Sequence, residues 1–442
     1  MVAVVTLASC SDEDENAGKG DGGKGKPAYI GVTITLPAPL GTRAENTAAD
    51  IAGEKAVTTI GVYIVDANTA QFDYTILSVV ADFTSSVDAN NQDIYTAVTA
   101  IPTITGLKRV FVVANPTVAL QTKLSNVRGT AVNAAAFGLL ENAFLTEDST
   151  SSLTSMVMSG AYTATAGILD MTKAVDETTA LFNPIDITIS RNLSKAVVQY
   201  ESAKPNVIGG ITTLTWTLIN KAKDSYFLPQ SAGTLFRDVP SEAETNTTHI
   251  YWMNFSGMTG ADYIPVLAYG SGDAKMATYV QSKYMFENIP IDFYEGNTTA
   301  ARIRGVFTPT TIYNDVSAGV PVVATEFTTG TDFYLSRVDG SYWTLAGRDA
   351  AIAAGYNGHT VNSDFSQYAG GVGYYTIWVN DGSGNKGVNR NSYYLMQISE
   401  VRGPGAPVEP ASPIVSVGND TNLAVKITVL NWDFKKSVQS IQ

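Results

Sequence analysis

The sequence predicts a mainly β protein: two antiparallel β-sandwich domains, transthyretin-like or immunoglobulin-like, with a few short helices. Charged residues make up 16% of the 442 residues, below the roughly 25% of ordinary soluble domains, while Thr, Tyr, Val and Gly are abundant. Short segments of period-2 or continuous apolar character recur between turn residues, rich in β-branched and aromatic side chains, as strands with a packed face require. The length suits two domains, or three smaller ones.

At the N-terminus, residues 1–10 read as a lipoprotein signal segment. The only cysteine, Cys10, closes an apolar run ending Leu7-Ala8-Ser9 and is followed at once by Ser-Asp-Glu-Asp-Glu. A branched apolar residue three places before the thiol and two small residues beside it suit a signal peptidase and a lipid acceptor. The basic n-region is missing and the apolar stretch is short, so the segment is expected to be a truncated signal. One cysteine also excludes an intramolecular disulfide.

Residues 11–43 begin as an acidic, Gly/Lys-rich linker and end in the most consequential segment. Over 29–36 the chain alternates strictly, with Ile30, Val32, Ile34 and Leu36 on one face and Gly31, Thr33 and Thr35 on the other. That is a strand with one buried face. Pro37, Pro39 and Gly41 then break it, and residues 42–47 read as an exposed, protease-accessible loop. Arg43 is the only basic residue between Lys26 and Lys55.

Further strands are predicted over 59–66, 74–80, 108–114, 186–190, 196–200, 212–219, 374–379, 393–398 and 423–432. Two alanine-rich stretches, 131–144 and 348–355, read as short helices. Neither alternates regularly with strands, which argues against parallel βαβ units. The domains are expected over 44–184 and 185–442, divided within fifteen residues of Asn183-Pro184, where a fresh alternating strand starts. In the last strand Leu423, Val425, Ile427 and Val429 alternate; beyond Trp432 the tail is polar, with only Phe434, Val438 and Ile441 as apolar residues.

The formal charge of −13 argues against nucleic acid or an anionic membrane as partner. After Cys10 no apolar run reaches the about 18 residues that span a bilayer. Motifs that carry chemistry are scarce. His249 and His359 lack acidic or cysteine neighbours at ligand spacing, so no metal site is expected. The loop starting at Asp381 resembles a calcium loop but lacks the required sixth-position glycine, and Ser392 stands where the twelfth-position glutamate belongs; a hairpin turn is the better reading. The glycine run 370–373 has neither a following lysine-serine pair nor a helix to cradle phosphate. Glu242 and Glu244, and the acidic run 12–15, read as solvated loop charge. No cofactor and no enzymatic activity are expected. Arg191 and Lys195, in or beside a strand, either line a domain interface, pair with acidic residues, or lie along an exposed strand edge.

Read together, several pieces resemble the fimbrillins of type V pili of Bacteroidales, close to the major shaft subunits. They are the lipobox at Cys10, the strand-then-arginine leader ending at Arg43, Gly61-Val62-Tyr63-Ile64-Val65-Asp66 and Lys108-Arg109-Val110-Phe111-Val112-Val113-Ala114-Asn115. Met158-Ser159-Gly160, Arg191-Asn192-Leu193-Ser194-Lys195-Ala196-Val197-Val198, Gly387-Val388-Asn389-Arg390-Asn391-Ser392-Tyr393-Tyr394, Gly403-Pro404-Gly405 and Val429-Leu430-Asn431-Trp432 follow in order.

The resemblance implies a mechanism. The precursor would be lipidated at Cys10, anchored to the outer membrane, and cut at Arg43-Ala44 by an arginine-specific surface protease that releases the strand carrying Ile30, Val32, Ile34 and Leu36. The C-terminal region of a neighbouring copy would fill the vacated groove, with Leu430, Trp432, Phe434, Val438 and Ile441 as donor candidates. The implied location is a cell-surface pilus, and the implied partners are other copies, minor pilus subunits and surface ligands of unspecified kind. A tip or minor adhesin of the same pilus is one alternative. A surface glycan-binding lipoprotein is another, and it would display aromatic residues such as Trp252, Trp343 or Trp378.

Overall fold

The computed structural model of the chain describes residues 26–36, 56–67, 72–89, 92–118, 120–121, 144–146, 156–173, 175–201, 210–222, 224–226, 262–269, 282–290, 292–380, 386–408, 417 and 423–431. The alternating leader forms two short strands, β1 (Pro27–Ile30) and β2 (Val32–Thr35), separated at Gly31. Then come β3 (Thr59–Asp66), β4 (Phe72–Ser78), the helical turn α1 (Val79–Asp82), β5 (Phe83–Val87), β6 (Asp93–Ala97), β7 (Ile101–Ile104) and β8 (Gly106–Ala114). After β9 (Phe144–Thr146) follow β10 (Met158–Ala161), β11 (Leu169–Met171), helix α2 (Glu177–Phe182), β12 (Ile185–Thr188) and β13 (Ser190–Arg191).

One N-terminal sheet runs β13-β10-β8-β3-β4, with β11 also on β8; a second runs β12-β2-β6-β5, and β1 pairs with β7. Aliphatic side chains from these sheets meet in one core: Val32 and Ile34 of β2 and Ile187 of β12, with Val62 and Ile64 of β3 and Val110 and Val112 of β8. Alternation in the sequence dictates this, because every second side chain of each strand points to the same side.

The C-terminal half begins with β14 (Leu193–Glu201), β15 (Gly210–Ile219), β16 (Asp224–Tyr226), β17 (Ile264–Pro265), β18 (Leu267–Tyr269), β19 (Lys283–Phe286) and β20 (Ala300–Thr308). A branch follows: β21 (Tyr313–Ser317), β22 (Val320–Val323), β23 (Phe333–Ser336), β24 (Tyr342–Trp343), helix α3 (Leu345–Ala354) and β25 (Phe365–Tyr368). Then β26 (Val372–Trp378), β27 (Ser392–Val401) and β28 (Leu423–Asn431) complete the strands of the described residues. Sheets ordered β18-β14-β27-β28, with β19 on β14, and β17-β15-β20-β26 enclose the second core around Val198, Trp216, Ile303, Tyr375 and Met396. The short β9–β16 ladder ties the two halves of the chain together, with Phe144 opposite Tyr226.

The mainly β sandwich fold is as predicted, and each predicted strand is present with ends shifted by a few residues. Several features depart from expectation. The sheets are mixed, since β12 runs parallel to β2, and β14 runs parallel to both β27 and β18. Hydrophobic alternation reports which face is buried, not the direction of the neighbour. The leader is not one strand: the chain leaves the β7 pairing at Gly31 and enters the β12-β2-β6 sheet, although Ala28, Ile30, Val32, Ile34 and Leu36 all remain buried. The passage between the two cores falls between Ile189 and Ala196, so β12 and β13 pair with N-terminal strands rather than with the second half.

Helix α3 forms where a helix was predicted, starting three residues earlier. The Thr344 hydroxyl accepts the Gly347 N–H at 3.1 Å, and Gly355 ends the helix with φ 61°. The predicted helix over 131–144 lies outside the described residues. The branch over 309–371 was not predicted as a unit. It has its own sheet, β22-β21-β24-β23-β25, and two small aromatic cores around Phe333 and Trp343.

Candidate functional site

The site is the leader strand and the elements that hold it. β2 lies between β12, parallel on one side, and β6, antiparallel on the other, with Ile34 opposite both Ile187 and Tyr95. Val32 and Ile34 are 0% exposed, and Ile30 and Leu36 are buried beside them. Hydrogen bonds run to both neighbours: the Ile185 N–H donates to the Gly31 carbonyl at 2.9 Å, Ile189 N–H to Thr35 at 3.1 Å, and Leu36 N–H to Asp93 at 2.9 Å. Gln92 adds a side-chain bond to the Leu36 carbonyl at 3.1 Å. Burial of these four aliphatic side chains contributes about 6 to 12 kcal/mol before chain ordering is subtracted. A terminal segment thus forms a central strand of its sheet, and its loss would expose an apolar slot flanked by two rows of backbone groups.

The outer side of the leader is closed by α2. The Asp176 carboxylate caps that helix, accepting the Thr179 N–H at 2.8 Å and the Thr179 hydroxyl at 2.7 Å. These bonds hold the exposed carboxyl below its usual range. Just ahead of the helix, the Val175 carbonyl accepts the Tyr29 N–H at 3.0 Å. On the β6 wall, burial and then the neighbouring Asp93 carboxylate push the Tyr95 phenol up.

Of the residues singled out from sequence, Ile30, Val32, Ile34 and Leu36 come together as described. Cys10, Arg43, Ala44, Trp432, Phe434, Val438 and Ile441 lie outside the described residues. Leu430 stands in β28 opposite Tyr393, so in this conformation it belongs to the chain's own sheet. Val425 and Ile427 of that strand pack on the second core. Three parts of the site were missed: the β6 wall, the α2 cover and Gly31. An isolated glycine in an otherwise alternating strand was the available signal, because it marks a close backbone approach.

The remaining chemistry-bearing candidates are structural. Arg191 and Lys195 are fully buried, which overturns the exposed-edge alternative; the Lys195 ammonium lies 5.7 Å from the Tyr393 ring centre. His359 is buried in the branch, where Nδ1 pairs with the Tyr356 carbonyl and Nε2 shares a hydrogen bond of 2.7 Å with the Ser336 hydroxyl. His249, Glu242, Glu244 and most of the calcium-like loop are outside the described residues, although Asn380 and Lys386 pair as that loop's base. At the glycine run, the Gly370 N–H donates to Asp332 at 2.7 Å, an acidic partner where a phosphate cradle would need a free donor. Among the described residues no cluster of His, Cys, Asp or Glu is arranged to hold a metal. Trp343 and Trp378 are core residues, not an exposed platform.

Fold and site together define a structural β-sandwich protein whose candidate site is a seated strand rather than a catalytic cleft. Residues 366–437 match the family described as major fimbrial subunit protein type IV, fimbrillin, C-terminal, so that over this region the chain is similar to fimbrial subunits. The match covers the end of the branch, β26, β27 and β28. No curated protein sequence matches the chain significantly. Among solved structures, it is similar to a fimbrilin from Porphyromonas gingivalis W83, with 14% identity, TM-score 0.48 and coverage of 92% of this chain and 97% of that one. A C-terminally truncated tip fimbrial protein of P. gingivalis shares 13% identity, TM-score 0.39, covering 91% and 100%. A fimbrial assembly protein of Parabacteroides distasonis ATCC 8503 shares 9% identity, TM-score 0.40, covering 92% and 97%.

Proposed function

We propose that this chain is a shaft subunit of a cell-surface pilus, exported as a lipoprotein through Cys10 and matured by cleavage of the Arg43-Ala44 bond. Cleavage frees the leader, and the C-terminal region of a neighbouring copy fills the space between β12 and β6. The observation that carries this reading is the position of β2: it lies between β12 and β6 in the middle of a sheet and buries Val32 and Ile34, while Ile30 of β1 and Leu36 just after β2 are buried beside it. Such a slot, once emptied, combines apolar surface with unpaired backbone groups and favours addition of a strand from another chain. Repeated head to tail the contact is heterologous and does not close, so it builds a filament.

In this reading the precursor is held at the outer membrane by its lipid and processed by an arginine-specific surface protease. Residues 432–442, with Trp432, Phe434, Val438 and Ile441, supply the donor, and Leu430 with the end of β28 joins them when the tail engages its neighbour. N-terminal sequencing of protein sheared from the cell surface tests it: the expected start is Ala44. Retention of a lipid on Cys10 in all the surface protein refutes it in favour of a permanently anchored binding protein. Deletion of residues 433–442 is expected to leave a folded, processed monomer that does not polymerise; filaments of normal length from that deletion refute the donor assignment.

A further inference from the structure

Gly31 stands where the leader passes under α2. A Cβ at this position would fall well inside contact distance of the Ala180 carbonyl oxygen, 2.9 Å from the Ala180 carbonyl carbon and 3.3 Å from Pro184 Cα. All three atoms are backbone, so no rotamer change relieves the overlap. Gly31 does not have a positive φ, and glycine is needed here for space alone. Both sides of the close approach are fixed. The Ile185 N–H binds the Gly31 carbonyl, and Tyr29 N–H binds Val175, so the leader backbone is tied to the segments before and after α2. Within α2, the Ala180 N–H donates to the Asp176 carbonyl at 3.0 Å, and Ala180 itself is buried.

We infer that this contact is a specificity determinant of the slot: only a strand without a Cβ at the place facing the Ala180 carbonyl seats along the full length of β1 and β2 while α2 stays in position. The inference rests on the strand-exchange reading above and adds to it a rule for which strand is preferred. The leader meets the rule through Gly31. The C-terminal stretch 423–442 contains no glycine. A strand drawn from it fills the slot only by stopping short of α2, within the stretch between β12 and β6, or by lifting α2 off the sheet. The chain's own leader is therefore the better-fitting occupant, and the slot opens to another strand after the leader is cut away rather than by direct competition.

The test uses the full chain cut with an arginine-specific protease and cleared of its leader, and synthetic peptides of residues 26–36. The peptide with Gly31 is expected to bind, and the Gly31→Ala and Gly31→Val peptides are expected to bind at least ~10-fold more weakly, as overpacking against fixed backbone requires. A Thr35→Val peptide serves as the reference and is expected to bind within ~3-fold of the parent. Equal binding by all four overturns the specificity rule and leaves strand exchange standing. Failure of the parent peptide to bind overturns strand exchange itself. A second measurement decides the steric claim without any exchange: in the uncut chain, Gly31→Val is expected to raise amide hydrogen exchange in β1 and α2, whereas Thr35→Val does not. Unchanged protection in the uncut Gly31→Val chain overturns the inference.

Discussion

Replacing Ile34 with alanine tests the energetic basis of the seated leader. The Ile34 side chain is fully buried in the first core, between Ile187 of β12 and Tyr95 of β6 in the sheet register. Removing three carbons from such a position costs about 2–5 kcal/mol, depending on how far the walls collapse. In the uncut chain that loss lowers overall stability. After cleavage at the proposed Arg43-Ala44 bond the leader is held by noncovalent contacts alone, and the same loss becomes a weaker grip. At about 1.4 kcal/mol per decade, release should accelerate between roughly 30-fold and a few thousand-fold, mostly through the dissociation rate. The assay is gel filtration of the cut protein at timed intervals, with the leader fragment quantified by mass spectrometry. Thr35→Ala, half-buried on the opposite face, is the control and should change release by less than ~3-fold. Equal retention of the Ile34→Ala and parent leaders, both dissociating measurably, would refute the claim that aliphatic burial holds the strand.

Three further outcomes follow from the packing. Lys108 and Asp66 form a buried ion pair at 2.6 Å on the paired strands β8 and β3. Asp66→Ala strands the ammonium and should cost about 3–5 kcal/mol in urea unfolding, while Asp66→Leu with Lys108→Met should recover more than half of that loss. In the branch, His359→Ala empties a stack of aromatic rings against Phe365 and Tyr356 and removes one hydrogen-bond partner of the Ser336 hydroxyl. It should destabilise the branch by about 2–4 kcal/mol, read as loss of near-ultraviolet circular dichroism and early proteolysis within 309–371. The Asp339 carboxyl, although partial burial opposes it, is held down to about 2 by hydrogen bonds from Asn357, Ser341 and Ser336. Because the folded value lies below that of the unfolded chain, its contribution is complete above the ordinary carboxylate range of about 4 and is lost as pH falls through about 2. A carboxyl chemical-shift titration of Asp339 with its midpoint near 4 instead would contradict this.

How far the sequence disclosed the fold differs from part to part. Strands such as β3 and β8 were legible because the β-branched run of each is long and ends at a turn. The leader was legible because its alternation is strict, yet its division at Gly31 depends on α2, a six-residue helix whose sequence shows little periodicity. Parallel pairing of β2 with β12 has no local signature, since the two strands are far apart in the chain and each alternates in the same way whatever its neighbour's direction. The branch escaped because its strands are two to five residues long and β22 exposes Val320, Val322 and Val323, so the usual inside-outside contrast is weak. The candidate site was legible in its four aliphatic residues and not in its walls: β6 is short and carries mixed polar and apolar positions, and β12 was grouped with the second half by the proline that precedes it.

The branch leaves and rejoins the second sandwich through β20 and β26, which are themselves hydrogen-bonded from Ala300↔Trp378 to Val306↔Val372. Its two ends are therefore about one strand spacing, ~5 Å, apart. A ladder that closes beneath an appendage places little demand on what the appendage is. The branch touches its support through Phe307 on Phe333 and Tyr342, Ile211 on the Phe333 core and the Tyr368 hydroxyl on the Gly405 carbonyl, so changes between residues 309 and 371 that spare these contacts are expected to leave the supporting sheet intact. In a polymer of identical subunits, such a graft point would let outward-facing chemistry drift from one lineage to another while the joints along the fibre stay the same.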